Sequence, residues 1–371
     1  MTVTGGFPAP GPQDREPGRD GTYAGLPPSL PPNTPPPTGL PVPPPSYLRQ
    51  APPPQIPLLT AHKPGIVPLR PLQFGDILDG AVKAVRFNPK TMVGLSALVL
   101  ALFLVPSAAL AIGVTHLSAT SLSRFGPEAQ GFLGIPAVLL QALSTALATA
   151  ILSGLLIHVV GQAVLGRKPD IGQTWRAARG RVVSLVVLMV LAGLFSLLSI
   201  ALLIGPGALL LVNDNIGAGV ILLVVGSLGL LVVSVFVSTK ISLAAPAIVL
   251  EGHGALAGVR RSFALTKGAA FWRVLGITLV AGILAGFAGW LLGLPFSIVG
   301  VVIAAVSGQD SESAQMIVTF VSHLSALLTG AITTPFVAAV TGLIYIDRRM
   351  RLEALDVVLL RESQTNPAPP V

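Results

Sequence analysis

The chain of 371 residues is 52% apolar and only 10% charged, yet it carries a formal net charge of +8. A mean hydropathy of +0.79 excludes an ordinary soluble domain, and basic residues beside apolar runs favour anionic lipid headgroups over nucleic acid as the counterpart of that charge. The lack of cysteine excludes disulfides and thiolate chemistry.

The first part of the chain is rich in proline. About 22 of the 34 prolines lie in residues 1–71, where few apolar side chains could form a core. This composition predicts a disordered tail with polyproline II character. The tail is either a solvated extension or a ligand for a protein partner that binds proline-rich segments.

Beyond the tail, six apolar stretches are long enough to cross a hydrocarbon core of roughly 30 Å. They lie near 92–114, 134–164, 182–204, 218–240, 274–305 and 316–346. The sequence therefore predicts an all-α integral membrane domain over 72–362 with six transmembrane helices, followed by a disordered tail over 363–371. Several stretches exceed the minimum length, so tilt, kinks or extension past the interface are expected at Pro136, Pro206, Pro295 and Pro335.

The loops differ in charge. The predicted outer loops (115–133, 205–217 and 306–315) contain one basic residue, Arg124, and four acidic ones, Glu128, Asp214, Asp310 and Glu312. Nearly every other lysine or arginine lies on the opposite side. The positive-inside rule then predicts a multi-pass protein of the bacterial plasma membrane with both termini in the cytoplasm.

The three inner segments are amphipathic. Their apolar stripes are Phe74, Ile77, Leu78, Ala81 and Val85 in the first, Ile171, Trp175, Ala178 and Val182 in the second, and Leu256, Val259 and Phe263 in the third. This pattern predicts three repeats of an interfacial helix plus a transmembrane hairpin, closed by a fourth interfacial helix with Leu352, Leu355 and Leu359 on one face. Each segment could equally continue a span into the cytoplasm.

Three motifs carry a family resemblance: PLRPLQFGDILDGAVKAVRFNPK, APAIVLEGHGALAGVRRSFALTKGAAFWRVLG and GLIYIDRRMRLEALD. Through them, residues 68–361 resemble a group of actinobacterial multi-pass membrane proteins of unknown function, akin to the membrane domain attached to some glycerophosphodiester phosphodiesterases. The resemblance implies the architecture and no chemistry. No part of the chain resembles the phosphodiesterase barrel, so no catalytic residue is carried over.

Few polar residues lie in the spans. The five histidines show no zinc-type spacing, and no nucleotide-binding or hydrolase motif is present, so no metal, cofactor or enzymatic activity is predicted. His158 and Gln162, one turn apart, could form a proton relay, but a hydrogen bond to a neighbouring helix is the favoured interpretation. Lys240 is either an intramembrane functional group or a side chain that reaches the inner surface.

Small residues recur at helical spacing. Ala142, Ala146, Ala150 and Gly154 repeat every four residues on the second span, and the fifth span has two GxxxG pairs, Gly282 with Gly286 and Gly289 with Gly293. Both patterns predict close approach of helices, within the bundle or between copies of the chain.

The favoured function is a non-enzymatic membrane component that docks anionic lipid or a protein partner on its basic inner face. The candidate contact residues are Arg176, Arg179, Arg181, Arg260, Arg261 and Lys267. A transporter or lipid flippase is the alternative, followed by a membrane-embedded enzyme of lipid or envelope metabolism.

Overall fold

The structure, a computed structural model, describes residues 65–68, 70–117, 127–307 and 311–353, with backbone only at 117 and 127–138. Residues 1–64 and 69 of the tail predicted over 1–71, and the whole tail predicted over 363–371, lie outside these residues. The described helices are α1 (Phe74–Phe87), α2 (Pro89–Leu117), α3 (Pro127–Val164), α4 (Ile171–Ala178), α5 (Val182–Leu203), α6 (Gly205–Val212), α7 (Ile216–Ile241), α8 (Ala244–Leu250), α9 (Ala255–Leu265), α10 (Ala269–Ser307) and α11 (Glu312–Glu353).

Six stretches of these helices are long and apolar enough to cross a membrane. They are Pro89–His116, Leu139–Val164, Ile171–Leu203, Ile216–Leu250, Ala269–Ser307 and Glu312–Glu353. Each overlaps one of the six stretches found in the sequence. The prediction of an all-α multi-pass membrane protein is therefore confirmed.

Helix α11 is the centre of the packing. It contacts α1, α2, α3 and α10, and its half nearest the basic residues is almost continuously buried. The largest fully buried side chains include Leu152 and Leu156 of α3 and Tyr345 of α11. By contrast, α5 and α7 leave most of their apolar side chains exposed, as helices that face lipid do.

The prolines occupy different positions in the helices, and the span Ile216–Leu250 is interrupted between α7 and α8. Pro206 lies in the first turn of α6, where the helix of α5 has just ended, whereas Pro295 and Pro335 lie inside α10 and α11. The break between α7 and α8 is stabilised by the buried Ser262 of α9. Its hydroxyl donates to the carbonyl of Lys240 at 2.6 Å and accepts from the peptide N–H of Leu243 at 3.1 Å, so the backbone groups freed by the break are hydrogen-bonded.

The inner segments form separate short helices, but their apolar stripes have different surroundings. Ile77 and Ala81 of α1 are buried against the protein, so packing on α11 accounts for that stripe. Trp175 of α4 is 46% exposed and Leu256 of α9 is 71% exposed. The α9 stripe and Trp175 of the α4 stripe thus face away from the protein, as an interfacial helix requires, whereas Ala178 of the α4 stripe is buried in the core.

The fourth interfacial helix is not formed over the described part of its predicted range. Helix α11 continues without a break through Leu352 to Glu353, whereas Leu355 and Leu359 lie outside the described residues. Residues 346–353 therefore follow the alternative considered from the sequence, in which the span itself continues past the interface. They extend α11 with the same helical hydrogen bonding as the rest of the span.

The core begins before α1. Ile66, Val67 and Leu72 are buried, and the peptide N–H of Ile66 donates to the carbonyl of Ala163 at 3.3 Å. A Cβ at Gly65 would lie 2.2 Å from that same carbonyl oxygen, so only glycine allows this approach. The boundary between tail and membrane domain, which proline content placed between residues 71 and 72, thus falls inside a packed segment.

Candidate functional site

The basic segments meet at one end of the helix bundle. The side chains of Asn88 and Thr91 each donate to the carbonyl of Pro169 at 2.9 Å, which joins the α1–α2 junction to the loop before α4. Arg348 of α11 donates from Nε to the carbonyl of Leu265 in α9 at 3.1 Å. We call this region, formed by α1, α4, α9 and the last turns of α11, the basic end.

A half-buried carboxylate organises one part of the basic end. Glu251, whose side chain is 13% exposed, accepts from Arg261 Nε at 3.1 Å and Nη2 at 3.0 Å and lies 3.1 Å from Arg349 Nε. The hydroxyl of Tyr345 also donates to Glu251, and His253 Nε2 lies 2.8 Å from it. Chain segments almost 100 residues apart are thereby fixed to one carboxylate.

The charge state of this cluster follows from its neighbours. Burial alone would raise the pKa of Glu251, but the hydrogen bonds from Arg261 and Tyr345 and the positive charge of Arg349 outweigh it and hold the pKa below its ordinary value. Burial alone would lower the pKa of Arg261, but hydrogen bonds to Glu251 and Glu353 raise it. Glu251 and Arg261 therefore both stay charged near neutral pH.

A second carboxylate fixes the start of the membrane domain. Asp347, 1% exposed, accepts from the peptide N–H of Leu72 and from Arg351 Nε, both at 2.9 Å, and from Arg273 Nη2 at 3.2 Å. The two arginines also donate to the carbonyl of Leu72, at 2.6 Å from Arg273 and 2.7 Å from Arg351. This arrangement, the Asp347 network, fixes residues 65–72 to α10 and α11.

Sequence reasoning missed both carboxylates. It treated the charges of these segments as topology signals and read Arg261 as a lipid contact. The available signal was the position of Glu251 and Asp347, each an acidic residue at a span end beside several arginines. A carboxylate that is buried there needs arginine partners.

Of the six predicted contact residues, five make no ion pair with a described carboxylate. Arg176 donates to the carbonyl of Gly172 in its own helix, and Arg181 donates to the carbonyl of Gly252 at 3.2 Å. The other exposed members of the set are Arg179, Arg260 and Lys267. Arg261 differs, because it donates to Glu251 and Glu353 and is mostly covered.

Lys240 lies among aromatic rings at the basic end of α7. Its Nζ donates to the carbonyl of Thr266 at 2.8 Å and lies 5.1 Å from the ring centre of Phe271. The rings of Phe236 and Phe263 are at 5.7 and 5.9 Å. Cation–π attraction and one hydrogen bond thus compensate the charge without a carboxylate.

His158 and Gln162 are partly buried on the last turns of α3. Neither side chain makes a hydrogen bond with another described residue, so the bond expected to a neighbouring helix is not formed within that part of the chain. Among the described histidines, His323 of α11 is the buried one: its Nδ1 lies 2.8 Å from the carbonyl of Thr319 and its Nε2 3.4 Å from Ser107 Oγ. The described residues contain no group of three metal-ligating side chains.

The small residues serve different purposes. Gly154 packs against Leu185 so closely that a Cβ would meet Leu185 Cδ1 at 2.2 Å, as the stripe predicts. The three alanines of that stripe instead line a cleft of ≈ 720 Å³ between α3, α5 and the α7–α8 break, beside a row of polar residues on α3: Gln141, Thr145, Thr149 and Ser153. On α10, Gly289 and Gly293 face α11, whereas Gly282 and Gly286 have no neighbour within 4 Å of an added Cβ.

A family profile described as a domain of unknown function (DUF7847) matches residues 72–345, which include five of the six transmembrane stretches and most of the sixth, together with Glu251, Arg261 and Arg273. The chain belongs to the DUF7847 family. No curated protein and no solved structure matches it. The DUF7847 domain is thus a multi-pass helical membrane domain, and the predicted membership of a membrane-protein family of unknown function is confirmed.

Proposed function

We propose that the basic end docks on anionic lipid headgroups in a non-enzymatic role. A difference between two sets of cations carries the proposal. Arg261 and Arg273 are paired with carboxylates inside the protein, whereas Arg179, Arg260 and Lys267 are exposed and pair with no described carboxylate. Cations that are not used within the fold are available to headgroups.

The expected attraction between the three exposed cations and anionic headgroups is considerable. Each lysine or arginine near an anionic leaflet contributes about 1 kcal/mol, so three together can enrich anionic lipid by more than a hundredfold without a pocket. The exposed Trp175 and Leu256 support the proposal, because they would place α4 and α9 at the depth of the headgroups. The resemblance to the membrane domain of glycerophosphodiester phosphodiesterases is in keeping with a lipid-related setting and stays a prediction.

The test changes Arg179, Arg260 and Lys267 together to glutamine in the full chain, reconstituted in nanodiscs of phosphatidylcholine and phosphatidylglycerol at 3:1. We expect the ratio of phosphatidylglycerol to phosphatidylcholine that co-purifies with the protein, relative to the 1:3 input, to fall by more than tenfold. Arg261 is left unchanged, because its loss would remove one of the ion pairs of both Glu251 and Glu353.

The matched control exchanges the same three cations for one another, with Arg179→Lys, Arg260→Lys and Lys267→Arg. Charge-driven docking predicts enrichment equal to that of the wild type. If the glutamine variant enriched phosphatidylglycerol as much as the wild type does, these three residues would only orient the chain in the membrane.

The orientation, with both termini in the cytoplasm and the basic end facing it, is part of the proposal. Reporters active on opposite sides of the membrane are inserted after Asn213, at the end of α6, and after Lys168, in the loop before α4. We expect opposite activities at the two sites. Equal activity would contradict the orientation.

A transporter or lipid flippase is the second candidate, and the cleft beside α3 is the observation that favours it. Polar side chains within a span usually face protein or a water-filled path, and here Thr145 and Thr149 are exposed in the cleft. Ala146→Phe should fill the cleft. A loss of lipid or solute flux in proteoliposomes with this variant, but not with the exposed-face control Val232→Phe, would favour transport.

A further inference from the structure

A groove separate from the cleft lies where α1 crosses the pair formed by α10 and α11. Its volume is ≈ 390 Å³, within the range of about 300–1,000 Å³ typical of small-molecule sites. The lining is apolar except for Arg86 and for Thr333, whose hydroxyl donates to the carbonyl of Thr329 in its own helix. It consists of Val82, Val85 and Arg86 of α1, Leu284, Ala285 and Ala288 of α10, and Ile332, Thr333 and Phe336 of α11.

The groove is bordered by helix contacts on two sides. Gly80 brings α1 close to α11, since an added Cβ would lie 3.0 Å from Leu343 Cδ1. On the other side α10 and α11 are in ordinary contact at Gly289, with Thr333 Cγ2 at 3.8 Å from an added Cβ. Between these contacts, Ala285 and Ala288 are too short to fill the space.

The groove lies below the basic end. Leu284 is 11 residues from Arg273 on α10, and Phe336 is 11 residues from Asp347 on α11. At 1.5 Å per residue, both helices place the groove about 16 Å from the Asp347 network. Both helices are long spans, so the apolar lining is at the depth of the hydrocarbon.

Arg86 places a positive charge on the wall of this groove. It is exposed, and it makes no hydrogen bond or ion pair with another described residue. Lys83, almost one turn earlier in α1, pairs with Asp79 instead. An arginine with its five donors free above an apolar groove matches a phosphate ester that carries a hydrocarbon chain.

We propose that this groove holds one anionic membrane phospholipid, with an acyl chain between α10 and α11 and the headgroup phosphate on Arg86. The inference rests on the proposed function in one respect, that the basic end faces an anionic leaflet. This lipid site differs from the proposed docking surface because it is a defined cavity. Arg179, Arg260 and Lys267 are not part of it.

Native mass spectrometry of the full chain, released from phosphatidylcholine and phosphatidylglycerol nanodiscs at 3:1, counts the lipids that stay bound. We expect wild type to retain one phosphatidylglycerol. Arg86→Gln should lower its occupancy by on the order of fivefold, since one cation is worth about 1 kcal/mol at an anionic surface. Ala288→Phe, which fills the groove, should remove the bound lipid.

Two matched controls separate the groove from general effects. Lys83→Gln removes a cation from the same helix, and Ile283→Phe adds a ring to an exposed position of α10 outside the groove. Both should retain the lipid. Thermal unfolding of all four variants verifies that the fold is intact.

Equal retention by Arg86→Gln and wild type would overturn the inference, as would equal loss in Lys83→Gln. Retention of phosphatidylcholine as often as phosphatidylglycerol would overturn the anionic preference, and a dimer in place of bound lipid would assign the groove to a second copy of the chain. The glutamine variant of Arg179, Arg260 and Lys267 distinguishes the two proposals. It should lose general enrichment of anionic lipid while keeping the single bound lipid.

Discussion

At the scale of residues, the basic end combines two kinds of charge. Glu251 and Asp347 are enclosed and satisfied by arginines, whereas Arg260 and Lys267 extend into solvent. Several positively charged donors stabilise an enclosed carboxylate at the same time. Removing the carboxylate leaves the charges of those donors without a counter-charge. The stability of the fold therefore depends far more on the two carboxylates than on the exposed cations.

Asp347→Asn tests this dependence. We expect a loss of about 3 kcal/mol, because Arg273 and Arg351 lose their counter-charge where they are largely covered. Thermal unfolding in detergent measures the change. Asp79→Asn is the control: its pair with Lys83 is exposed, so the loss should stay below about 1 kcal/mol. Equal losses would contradict the central place of the Asp347 network.

The lowered pKa of Glu251 predicts that the stability of the fold depends on pH. Its folded pKa lies below the ordinary value of about 4.3, so its contribution to stability is complete above that value and is lost as pH falls through the lowered pKa. The stability advantage of wild type over Glu251→Gln should thus be constant from pH 7 to pH 5 and shrink below pH 4. Unfolding scans of both proteins at pH 7, 5 and 3.5 measure it. An advantage that grows on acidification would have the wrong sign.

At the scale of elements, the α5–α7 hairpin is held by few contacts. Gly226 of α7 lies against the backbone of α5, where an added Cβ would be 2.0 Å from the carbonyl oxygen of Leu203. Gly229, about one turn further on, has only ordinary contacts, with Leu203 Cδ2 at 3.8 Å. A side chain at Gly226 would therefore prevent this close approach of α7 to α5, whereas one at Gly229 would not.

Gly226→Ala is expected to destabilise the hairpin by about 1–3 kcal/mol, because a backbone carbonyl cannot move aside as a side chain can. Gly229→Ala is the matched control and should change stability by less than 0.5 kcal/mol, roughly the scatter of neutral substitutions. Disulfide cross-linking between cysteines placed on α5 and α7 reports the separation of the two helices. Equal cross-linking in both variants would contradict the prediction.

At the scale of the whole molecule, the Asp347 network closes the domain by joining its first packed segment to its last helix. The hydrogen bond from Leu72 to Asp347 spans 275 residues. Bonds of such separation form only when the intervening spans have assembled. The segment before α1 is thus a structural part of the membrane domain and not the end of the proline-rich tail.

Two deletions distinguish the tail from this segment. Removing residues 2–64 should leave insertion and thermal stability unchanged, because Gly65 and the buried Ile66 remain. Removing residues 2–72 also removes the peptide groups that pair with Asp347 and the two arginines. The second deletion should lower the unfolding temperature markedly while the first should not. If both deletions lowered the unfolding temperature equally, residues 2–64 would have a structural role.

The sequence by itself determined the class, the six spans and the grouping of cations at one end. These follow from local quantities: the length of apolar runs, and the charge of the loops between them. The apolar stripes of α4 and α9 were also predictable, because helical spacing alone sets which residues share a face and no tertiary contact has to be known. The contact role assigned to Arg179, Arg260 and Lys267 stays a prediction.

The tertiary structure alone decided which polar groups are enclosed and where the bundle leaves space. Arg261 and Arg260 are neighbours in sequence, yet only Arg261 meets Glu251 and Glu353, because α8, α9 and α11 converge on one of them. Likewise Ala146 and Gly154 belong to one stripe, but α5 packs against Gly154 and diverges from Ala146 to open a cleft. Spacing along one helix fixes which residues share a face, whereas the crossing angle of the partner helix fixes which of them it touches.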